Sequence, residues 1–572
     1  MGGSYAWTQA PPLQARRDSD PRFCLFRAPI VSFRRSAMHG NYLISERHSG
    51  GHPMSVDAKR TPQGGNPSTQ FFDSTLSGQR CCFPWIFSHR VRIFGSVLWV
   101  IAGAISLLLA LQGCTTHGGD FTRDGGDFAR AKDRVAELLS RAIQIETVNP
   151  PGNEKPLAVF FSKILSKAGI ETRVIDTPSG DSKIGRAAAW GVVRGSGERL
   201  PIILLSHLDV VPADPDAWST DPFAGAREGD YVIGRGSLDA KGISIVHLLT
   251  LLELANREPP LKRDVIFLAT PDEESGGADG AGFITRERPG LLGGAEYLLT
   301  EGGGILNRGS DDPALWRVGV VEKSPCWLRV VAHGTPGHSS VPPLDAAVPR
   351  LIAALERVGR IEWPVRVVPE VAQMYRALAE LAPPEDAAGY ADLTRHLTED
   401  PAFRRRFMTL RFQAALLTNT LTVTVLEGSS RTNVLPAQAT AHIDARLLPG
   451  ESCERLTQRV RQAIADPGIS TEVLLTFEAH SSSADTLLYA AIEAIAAKSD
   501  PPAHAVPSVT IGFTDAHYFR DAGVISYGFT PRAMRREDSS GVHGRNERAD
   551  VGSLAIAVTT LIEILEELDR LD

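Results

Sequence analysis

The chain has 572 residues, of which 43% are hydrophobic and 22% charged, with a formal net charge of −7 at pH 7. This length exceeds what one hydrophobic core supports, so we expect at least two domains. The composition is typical of a soluble globular protein. It excludes a fibre, a wholly disordered chain and a multi-span membrane protein, and nothing in it indicates a nucleic-acid partner.

The N-terminal part differs in charge from the rest. The residues before Cys114 include 12 Lys/Arg but only 5 Asp/Glu, whereas the remainder is acidic. Residues 1–88 contain Arg, Pro, Ser and Gly without sustained helical or strand periodicity. This pattern predicts disorder, or a start codon assigned too far upstream, and we assign the segment no function.

Residues 89–114 have the features of a secretory signal. Two arginines precede an apolar stretch from Ile93 to Leu111, and the tetrapeptide LQGC follows at its end. LQGC resembles a bacterial lipobox, in which Cys114 carries lipid and becomes the mature N-terminus. A signal-anchor helix and an ordinary cleaved signal are the alternatives, since the stretch is just long enough to span a bilayer. We expect an extracytoplasmic protein tethered to a membrane through a lipid or an anchor.

Only two cysteines, Cys326 and Cys453, follow Cys114. Two isolated cysteines do not make a disulfide framework, and no CxxC or Cys/His spacing indicates a thiolate metal site. Any metal ion must therefore be held by histidines and carboxylates.

Three short apolar runs, "LPIILL", "DVIFLAT" and "EYLLT", predict buried strands. The candidate site residues that follow them are His207 and Asp209, then Glu273 and Glu274, then Glu301. Asp239 lies just before the predicted helix "ISIVHLLTLLELA". Because the carboxyl ends of parallel strands meet at one edge of a sheet, we expect these side chains to lie close together.

Such a cluster needs positive charge, because like charges this close cannot all ionise without counter-ions. Histidine nitrogen and carboxylate oxygen ligands without thiolate suit zinc, with cobalt or manganese as alternatives. A second histidine, His543, lies in a Gly-flanked loop before the final amphipathic helix. Taken alone it would be an exposed loop histidine, but with the upstream cluster it becomes a candidate ligand.

Seven motifs occur in an order that resembles one enzyme family: "SHLDVVP", "GRGSLDAKG", "PDEESGG", "TEGGG", "GHSSVP", "NVLPAQATAHIDARLLPG" and "HGRNE". The family is that of the co-catalytic zinc metallopeptidases, metallopeptidase family twenty. It includes carboxypeptidase S, aminoacylase, glutamate carboxypeptidase and succinyl-diaminopimelate desuccinylase. The resemblance extends from about residue 130 to the C-terminus, and "VVEKSPCWLRV" is most similar to the carboxypeptidase S and N-acyl-amino-acid hydrolase branch.

The resemblance implies a ligand set for two zinc ions. His207 and Glu301 would bind one ion, Glu274 and His543 would bind the other, and Asp239 would bridge them.

The resemblance also implies the catalytic roles. Asp209 would orient the ring of His207 without touching metal. Glu273 would act as general base, taking a proton from a dizinc-activated water that attacks an amide carbonyl.

Three further residues would contact substrate by the same resemblance. His338 would reach an active site from a lid, commonly that of the partner subunit, to stabilise the oxyanion; the alternative is a structural histidine. Arg446 would bind the free α-carboxylate of the substrate, and Asn433 its carbonyl.

Two positions depart from the family pattern. Ala240 stands where relatives often have a second aspartate, and His517 stands where many have arginine. Neither is a metal ligand, so both bear on substrate choice.

The resemblance implies an α/β fold in which a three-layer catalytic domain, 128–318 and 479–572, is interrupted by a lid and dimerisation domain, 319–478. The lid would be an α+β, ferredoxin-like βαββαβ sandwich. A helical insert at about 370–412 would serve core packing or dimer contact. We expect a homodimer.

The function expected is metal-dependent amide hydrolysis. The substrate would be a dipeptide or short peptide, cleaved at its C-terminal residue, or an N-acyl amino acid. A catalytically inactive peptide-binding surface lipoprotein is the alternative, which the intact ligand set and Glu273 disfavour. A cytosolic-type aminopeptidase is a third candidate, against which the signal segment speaks.

Overall fold

Residues 125–306, 314–535, 538 and 541–572 are described by the structure, which is a computed structural model. The predicted signal segment, 89–114, and residues 1–88 lie outside this part of the chain. Within it, none of the helices combines the length and the apolar character that a bilayer crossing needs.

The secondary structure alternates strands and helices along most of the chain. The strands are β1 Glu171–Asp176, β2 Ala187–Val193, β3 Arg199–His207, β4 Ala226–Glu228, β5 Tyr231–Ile233, β6 Arg263–Thr270, β7 Tyr297–Thr300, β8 Gly304–Leu306, β9 Leu315–Glu322, β10 Ser324–His333, β11 Gly337–His338, β12 Thr420–Glu427, β13 Val434–Leu435, β14 Gln438–Leu447, β15 Ile469–Thr476, β16 His504–Thr510, β17 Ile525–Gly528, β18 Ala533–Met534 and β19 Arg548–Asp550. The α-helices are α1 Gly125–Ile143, α2 Lys155–Lys167, α3 Lys241–Leu254, α4 Ala281–Glu287, α5 Ala347–Gly359, α6 Pro369–Leu378, α7 Pro384–Ala391, α8 Leu393–Glu399, α9 Pro401–Thr409, α10 Arg411–Leu417, α11 Cys453–Ile464, α12 Leu487–Lys498, α13 Ala516–Asp521 and α14 Val551–Leu571.

A large sheet of ten strands has the order β1-β2-β6-β3-β7-β17-β9-β8-β18, with β16 paired to β9. Its central strands β6, β3, β7 and β17 run parallel, and β1 and β2 pair antiparallel at one side. The three apolar runs of the sequence are β3, β6 and β7, so their carboxyl ends share one edge of the sheet. This edge receives the predicted site residues.

Helices cover both faces of the large sheet. Successive side chains along a strand point to opposite faces, so a strand that is apolar throughout has apolar groups to bury on each side. Ile202 and Leu204 of β3 pack in a core with residues of α1, α2, α3, α12 and α14. Their neighbours Ile203 and Leu205 pack in a second core with residues of α4 and α13. The predicted three-layer α/β architecture is therefore confirmed.

A small sheet of four antiparallel strands has the order β12-β14-β10-β15. Helices α5 and α11 bury its apolar face. The chain order β10, α5, β12, β14, α11, β15 confirms the predicted ferredoxin-like sandwich. The predicted boundaries of 319–478 for this domain stay a prediction.

The predicted helical insert consists of the short helices α6 to α10, between α5 and β12. Aromatic rings pack between these helices. The ring centre of Tyr375 lies 4.9 Å from those of Tyr390 and Phe407, and the ring centres of Phe403 and Phe407 are 5.5 Å apart. The spacing of apolar residues in this segment thus reflects local core packing.

Cys326 and Cys453 form a disulfide, with their Cα atoms 5.4 Å apart. The sequence analysis treated them as isolated cysteines, which is wrong, since they pair across a separation of 127 positions. They meet because the beginning of α11 packs against β10. The bond therefore ties a helix to a central strand inside the core of the small sheet.

Candidate functional site

The carboxyl edge of the large sheet brings the predicted metal ligands together. Donor atoms within 4.8 Å of one another form two sets, which are His207, Glu273 and Glu301, and His207, Asp239 and Glu274. His543 joins the same cluster from the loop before β19. Residues separated by more than 330 positions thus converge on one site.

Asp239 lies at the centre of the cluster. Its Oδ1 is 3.0 Å from Nε2 of His207, and its Oδ2 is 3.1 Å from Nε2 of His543. Glu301 Oε2 lies 3.6 Å from His207 Nε2, and Glu274 Oε2 lies 3.2 Å from His543 Nε2. Each oxygen of Asp239 therefore faces one histidine, and each histidine has a glutamate beside it. This geometry suits a carboxylate that bridges two cations.

Asp209 contacts both His207 and the turn that carries Glu273 and Glu274. Nδ1 of His207 lies 2.9 Å from the backbone oxygen of Asp209 and 3.6 Å from its carboxylate. Donation from Nδ1 to that backbone oxygen leaves Nε2 directed at Asp239 and Glu301. The carboxylate of Asp209 instead accepts the backbone N–H groups of Glu273 and Glu274, both at 3.1 Å. Asp209 thus fixes the turn that carries these two glutamates.

Glu547 fixes the position of Asp239, and the sequence analysis did not single it out. Its fully buried carboxylate accepts the backbone N–H groups of Leu238 at 2.7 Å and Asp239 at 3.1 Å. Its other oxygen accepts from Gly236 at 3.2 Å and from Arg235 at 2.7 Å. Glu547 is the last residue of the "HGRNE" motif, four positions after the predicted ligand His543. This proximity was the signal in the sequence that could have identified it as a site residue.

The histidines of the cluster attract protons strongly. Burial disfavours the charged ring of His207, but the neighbouring carboxylates, Glu301 foremost, outweigh it and raise its pKa well above the ordinary value. Hydrogen bonds to Asp239 and Glu274 raise the pKa of His543 to about 10. Burial favours the protonated acid of Asp239, yet hydrogen bonds from both histidines hold its pKa well below the ordinary value.

The glutamates of the cluster resist ionisation. Burial raises the pKa of Glu274 to about 7, and burial together with the Glu301 charge raises that of Glu273 well above its ordinary value. Oε1 of Glu274 is buried and has no hydrogen-bond partner among the described residues. An acceptor without a donor, in a cluster of concentrated negative charge, fits a divalent cation. Imidazole nitrogens and carboxylate oxygens are suitable ligands for such an ion.

His338 and Asn433 lie together, outside this cluster. Both are exposed, and they adjoin through the two-stranded pairing of β11 with β13. The backbone N–H of Ser339 donates to the backbone oxygen of Asn433 at 3.2 Å, and Nδ1 of His338 lies 2.8 Å from the hydroxyl of Ser340. The chain thus presents both side chains to its surroundings and not to its own metal ligands.

Arg446 lies where the small sheet meets the loop before α13. Its guanidinium pairs with Asp444 at 2.7 and 3.0 Å and lies 4.8 Å from the ring centre of Phe513 and 5.7 Å from that of Trp327. Its Nη1 is buried without a hydrogen-bond partner in the described part of the chain. The N–H groups at Nη1 therefore have no acceptor among the described residues.

His517 is buried, with its ring stacked on Phe477 at 3.5 Å and tilted against Tyr518 at 3.8 Å. Burial lowers its pKa to about 3. A neutral ring thus occupies the place of the family arginine and cannot replace its charge. Ala240, the second departure, is fully buried beside Asp239.

Comparisons with known proteins agree with this site. The model of the peptidase family M20/M25/M40 matches residues 203–567. The N-fatty-acyl-amino acid synthase/hydrolase PM20D1 of Xenopus tropicalis is 27% identical over 77% of this chain and 87% of its own length. The probable carboxypeptidase S-like 2 of Dictyostelium discoideum is 27% identical over 66% of this chain and 73% of its own.

Among solved structures, human carnosine dipeptidase 1 has the same fold, with a TM-score of 0.62 and 16% identity over 77% of this chain and 97% of its own. The family match covers more than half of the chain and includes every predicted metal ligand. This chain therefore belongs to the peptidase family M20/M25/M40 and is a metal-dependent amide-bond hydrolase.

Proposed function

We propose that this enzyme hydrolyses N-acyl amino acids, with fatty-acyl amino acids as the first substrates to test. The placement of Asp239 between two histidines carries the proposal, because it supports a dinuclear hydrolytic centre. The similarity to the N-fatty-acyl-amino acid synthase/hydrolases supports the substrate class. Short peptides cleaved at their C-terminal residue are the second candidate, since they present the same amide next to a free carboxylate.

Zinc is the metal we propose, held by the residues expected from the family. His207 and Glu301 would bind one ion, Glu274 and His543 the other, and both ions would share Asp239. When bound, the pair of cations would polarise the scissile carbonyl and make a water molecule acidic near neutral pH.

The protein's own groups would then move the proton. Glu273 is buried and lies among the ligands without pairing to either histidine, so it is placed to take a proton from water. The same carboxyl group would return the proton to the departing amine. Asp209 and Glu547 would keep the glutamates and Asp239 in place through backbone hydrogen bonds. Hydrolysis and condensation share a transition state, so the same groups serve either direction.

Arg446 is proposed to bind the substrate carboxylate. The contact with Asp444 fixes the guanidinium plane, and the unpartnered Nη1 supplies a donor. Substrates that end in a free carboxylate would gain a charge-assisted hydrogen bond there.

We propose a homodimer because His338 is exposed and lies outside the metal-ligand cluster of its own chain. Val341 and Leu344, in the loop that follows His338, are hydrophobic residues with highly exposed side chains, so this loop offers apolar area to a second copy. His338 of one copy would stabilise the oxyanion in the site of the other, with Asn433 beside it.

A membrane-tethered, extracytoplasmic location is proposed from two observations. LQGC at 111–114 follows an apolar stretch. The buried disulfide of the small sheet fits an oxidising compartment.

The general-base role predicts the behaviour of Glu273→Gln. Its kcat on an N-acyl amino acid should fall by about 10²–10⁴-fold, because an amide cannot accept the proton. Its zinc content should match that of the wild type, and chelator should abolish wild-type activity until zinc is restored. Glu287→Gln, an exposed change on α4, is the control. Wild-type turnover by Glu273→Gln, or activity that survives chelation, would contradict the mechanism.

The carboxylate role predicts a selective defect for Arg446→Met. The KM for a free N-acyl amino acid should rise about 10–100-fold, the loss expected for a hydrogen bond to a charged group. The KM for the matching N-acyl amino acid amide should stay unchanged. Arg459→Met removes an exposed arginine of α11 and serves as control. Equal losses on both substrates would argue against a carboxylate at Arg446.

Subunit sharing of the active site predicts complementation. His338→Ala and Glu273→Gln should each be inactive alone. Mixing them under exchange conditions should restore about a quarter of wild-type activity, because random pairing leaves one complete site in half of the dimers. A mixture of Glu273→Gln with the double variant Glu273→Gln/His338→Ala should stay inactive. Absence of recovery despite measured exchange would refute the shared site.

The lipoprotein proposal predicts the chemistry of the mature N-terminus. Protein extracted from a bacterial envelope should begin at Cys114 and carry lipid there, with Cys326 and Cys453 oxidised. Mass spectrometry of the intact chain measures this directly. A chain that keeps residues 89–113 would indicate a signal anchor, and an unlipidated soluble chain would indicate an ordinary cleaved signal.

A further inference from the structure

A buried chain of polar groups extends from the metal ligands toward the N-terminal elements. Nδ2 of Asn149 donates to Asp209 at 2.8 Å and lies 3.5 Å from Asp272. Nη1 of Arg186 donates to Asp272 at 2.9 Å, and its other nitrogens donate to the two oxygens of Glu154 at 3.0 and 3.2 Å. The mechanism above uses Asp209 alone among these groups.

Arg186 is the single cation in this chain of groups. It is 6% exposed, Glu154 is 0% exposed and Asp272 is 6% exposed. One guanidinium therefore faces two carboxylates away from water, where removing it would leave both charges uncompensated. The packing is tight as well: a Cβ added at Gly152, whose φ is +79°, would lie 2.6 Å from Nε of Arg186.

Asp272 connects Arg186 to the catalytic turn. It is the residue before Glu273 and has φ +79°, in the left-handed region. Its Oδ1 accepts from Arg186, and its Oδ2 accepts the backbone N–H of Asp279 at 2.8 Å. The backbone oxygen of Asp272 accepts from Gly277 at 2.7 Å. Asp272 thus closes the loop 272–279 on itself while its side chain is anchored to Arg186.

The loop 272–279 carries Glu273 and Glu274. A second contact, through Asp209, holds the backbone of this loop. The backbone N–H groups of Glu273 and Glu274 donate to Asp209, to which Asn149 also donates. Two residues therefore hold the turn. Arg186 binds the side chain of Asp272, and Asp209 accepts the backbone N–H groups of Glu273 and Glu274.

We propose that Arg186 is a positioning residue of the active site. Its guanidinium neutralises Asp272 and holds the turn that carries Glu273, the proposed general base, and Glu274, a proposed metal ligand. The guanidinium of Arg186 pairs with Asp272 and Glu154, neither of which is a proposed metal ligand, so it acts through Asp272. The inference rests on the proposed hydrolytic function, but its structural consequence, an ordered turn, is measurable without turnover.

The test compares Arg186→Met with Arg263→Met. Arg263 is also buried, and it pairs with two carboxylates, Glu296 and Asp572. It begins β6, at the end of the strand away from the loop 272–279. Arg186→Met should lower kcat at least 10-fold with KM within 2-fold, on the order of the loss expected when a general base is misplaced. Amide exchange at Glu273 and Glu274 should accelerate at least 10-fold, on the order expected when a buried hydrogen bond opens. Arg263→Met should leave both values near wild type at a temperature where it stays folded.

A second substitution separates the charge of Asp272 from general loss of structure. Arg186→Met/Asp272→Asn removes the uncompensated charge of Asp272, leaves Glu154 as it is in Arg186→Met, and keeps at position 272 a residue that tolerates positive φ. It should recover at least part of the lost kcat and slow the exchange again. Arg186→Lys keeps the charge but not the two-pronged pairing, so it should fall between wild type and Arg186→Met. It decides the question if Arg186→Met does not fold.

Wild-type kcat and exchange in both Arg186 variants would overturn the proposal. So would an equal kcat loss in Arg263→Met, or the absence of recovery in the double variant. A wild-type enzyme that cleaves no N-acyl amino acid or peptide would instead contradict the proposed function, and amide exchange would still report on the turn.

Discussion

The placement of Asp239 between two histidines is the constraint on which the site depends. One oxygen of Asp239 faces His207 and the other faces His543, at 3.0 and 3.1 Å. Three glutamates lie around this centre, so the fold must hold concentrated negative charge in a place from which water is largely removed. Such a cluster is stable only when cations or protons balance it. Burial, together with the neighbouring charge of Asp239, raises the pKa of Glu274 to about 7.

The fold meets this constraint with a parallel sheet and a ring of backbone hydrogen bonds. β3, β6 and β7 deliver their ends to one edge, which fixes where the ligands begin. Asp209 and Glu547 then hold two loops by accepting backbone N–H groups, so that neither loop depends on the metal ligands themselves for its shape. Preorganisation of this kind removes the cost of rearranging charged groups during the reaction.

The sequence predicted the parts of the site that obey local rules. Apolar runs followed by polar residues located His207, Glu273 and Glu301, because a buried strand and its exposed end leave a visible pattern. Periodicity could not identify Glu547 or the partner of Cys326, since each acts across more than a hundred residues and neither lies in a repeating pattern. His338 illustrates another limit. Its motif was recognisable, but the role proposed for it requires a second copy of the chain, and the sequence of one chain does not describe how two copies meet.

The most direct test of the account is the number of metal ions bound per chain. Native mass spectrometry of the purified enzyme, loaded with zinc and freed of excess, measures it. We predict two ions in the wild type, one in His207→Ala, one in His543→Ala and fewer than two in Asp239→Asn. One ion in the wild type, or two ions that persist after loss of either histidine, would contradict a centre in which Asp239 bridges two cations.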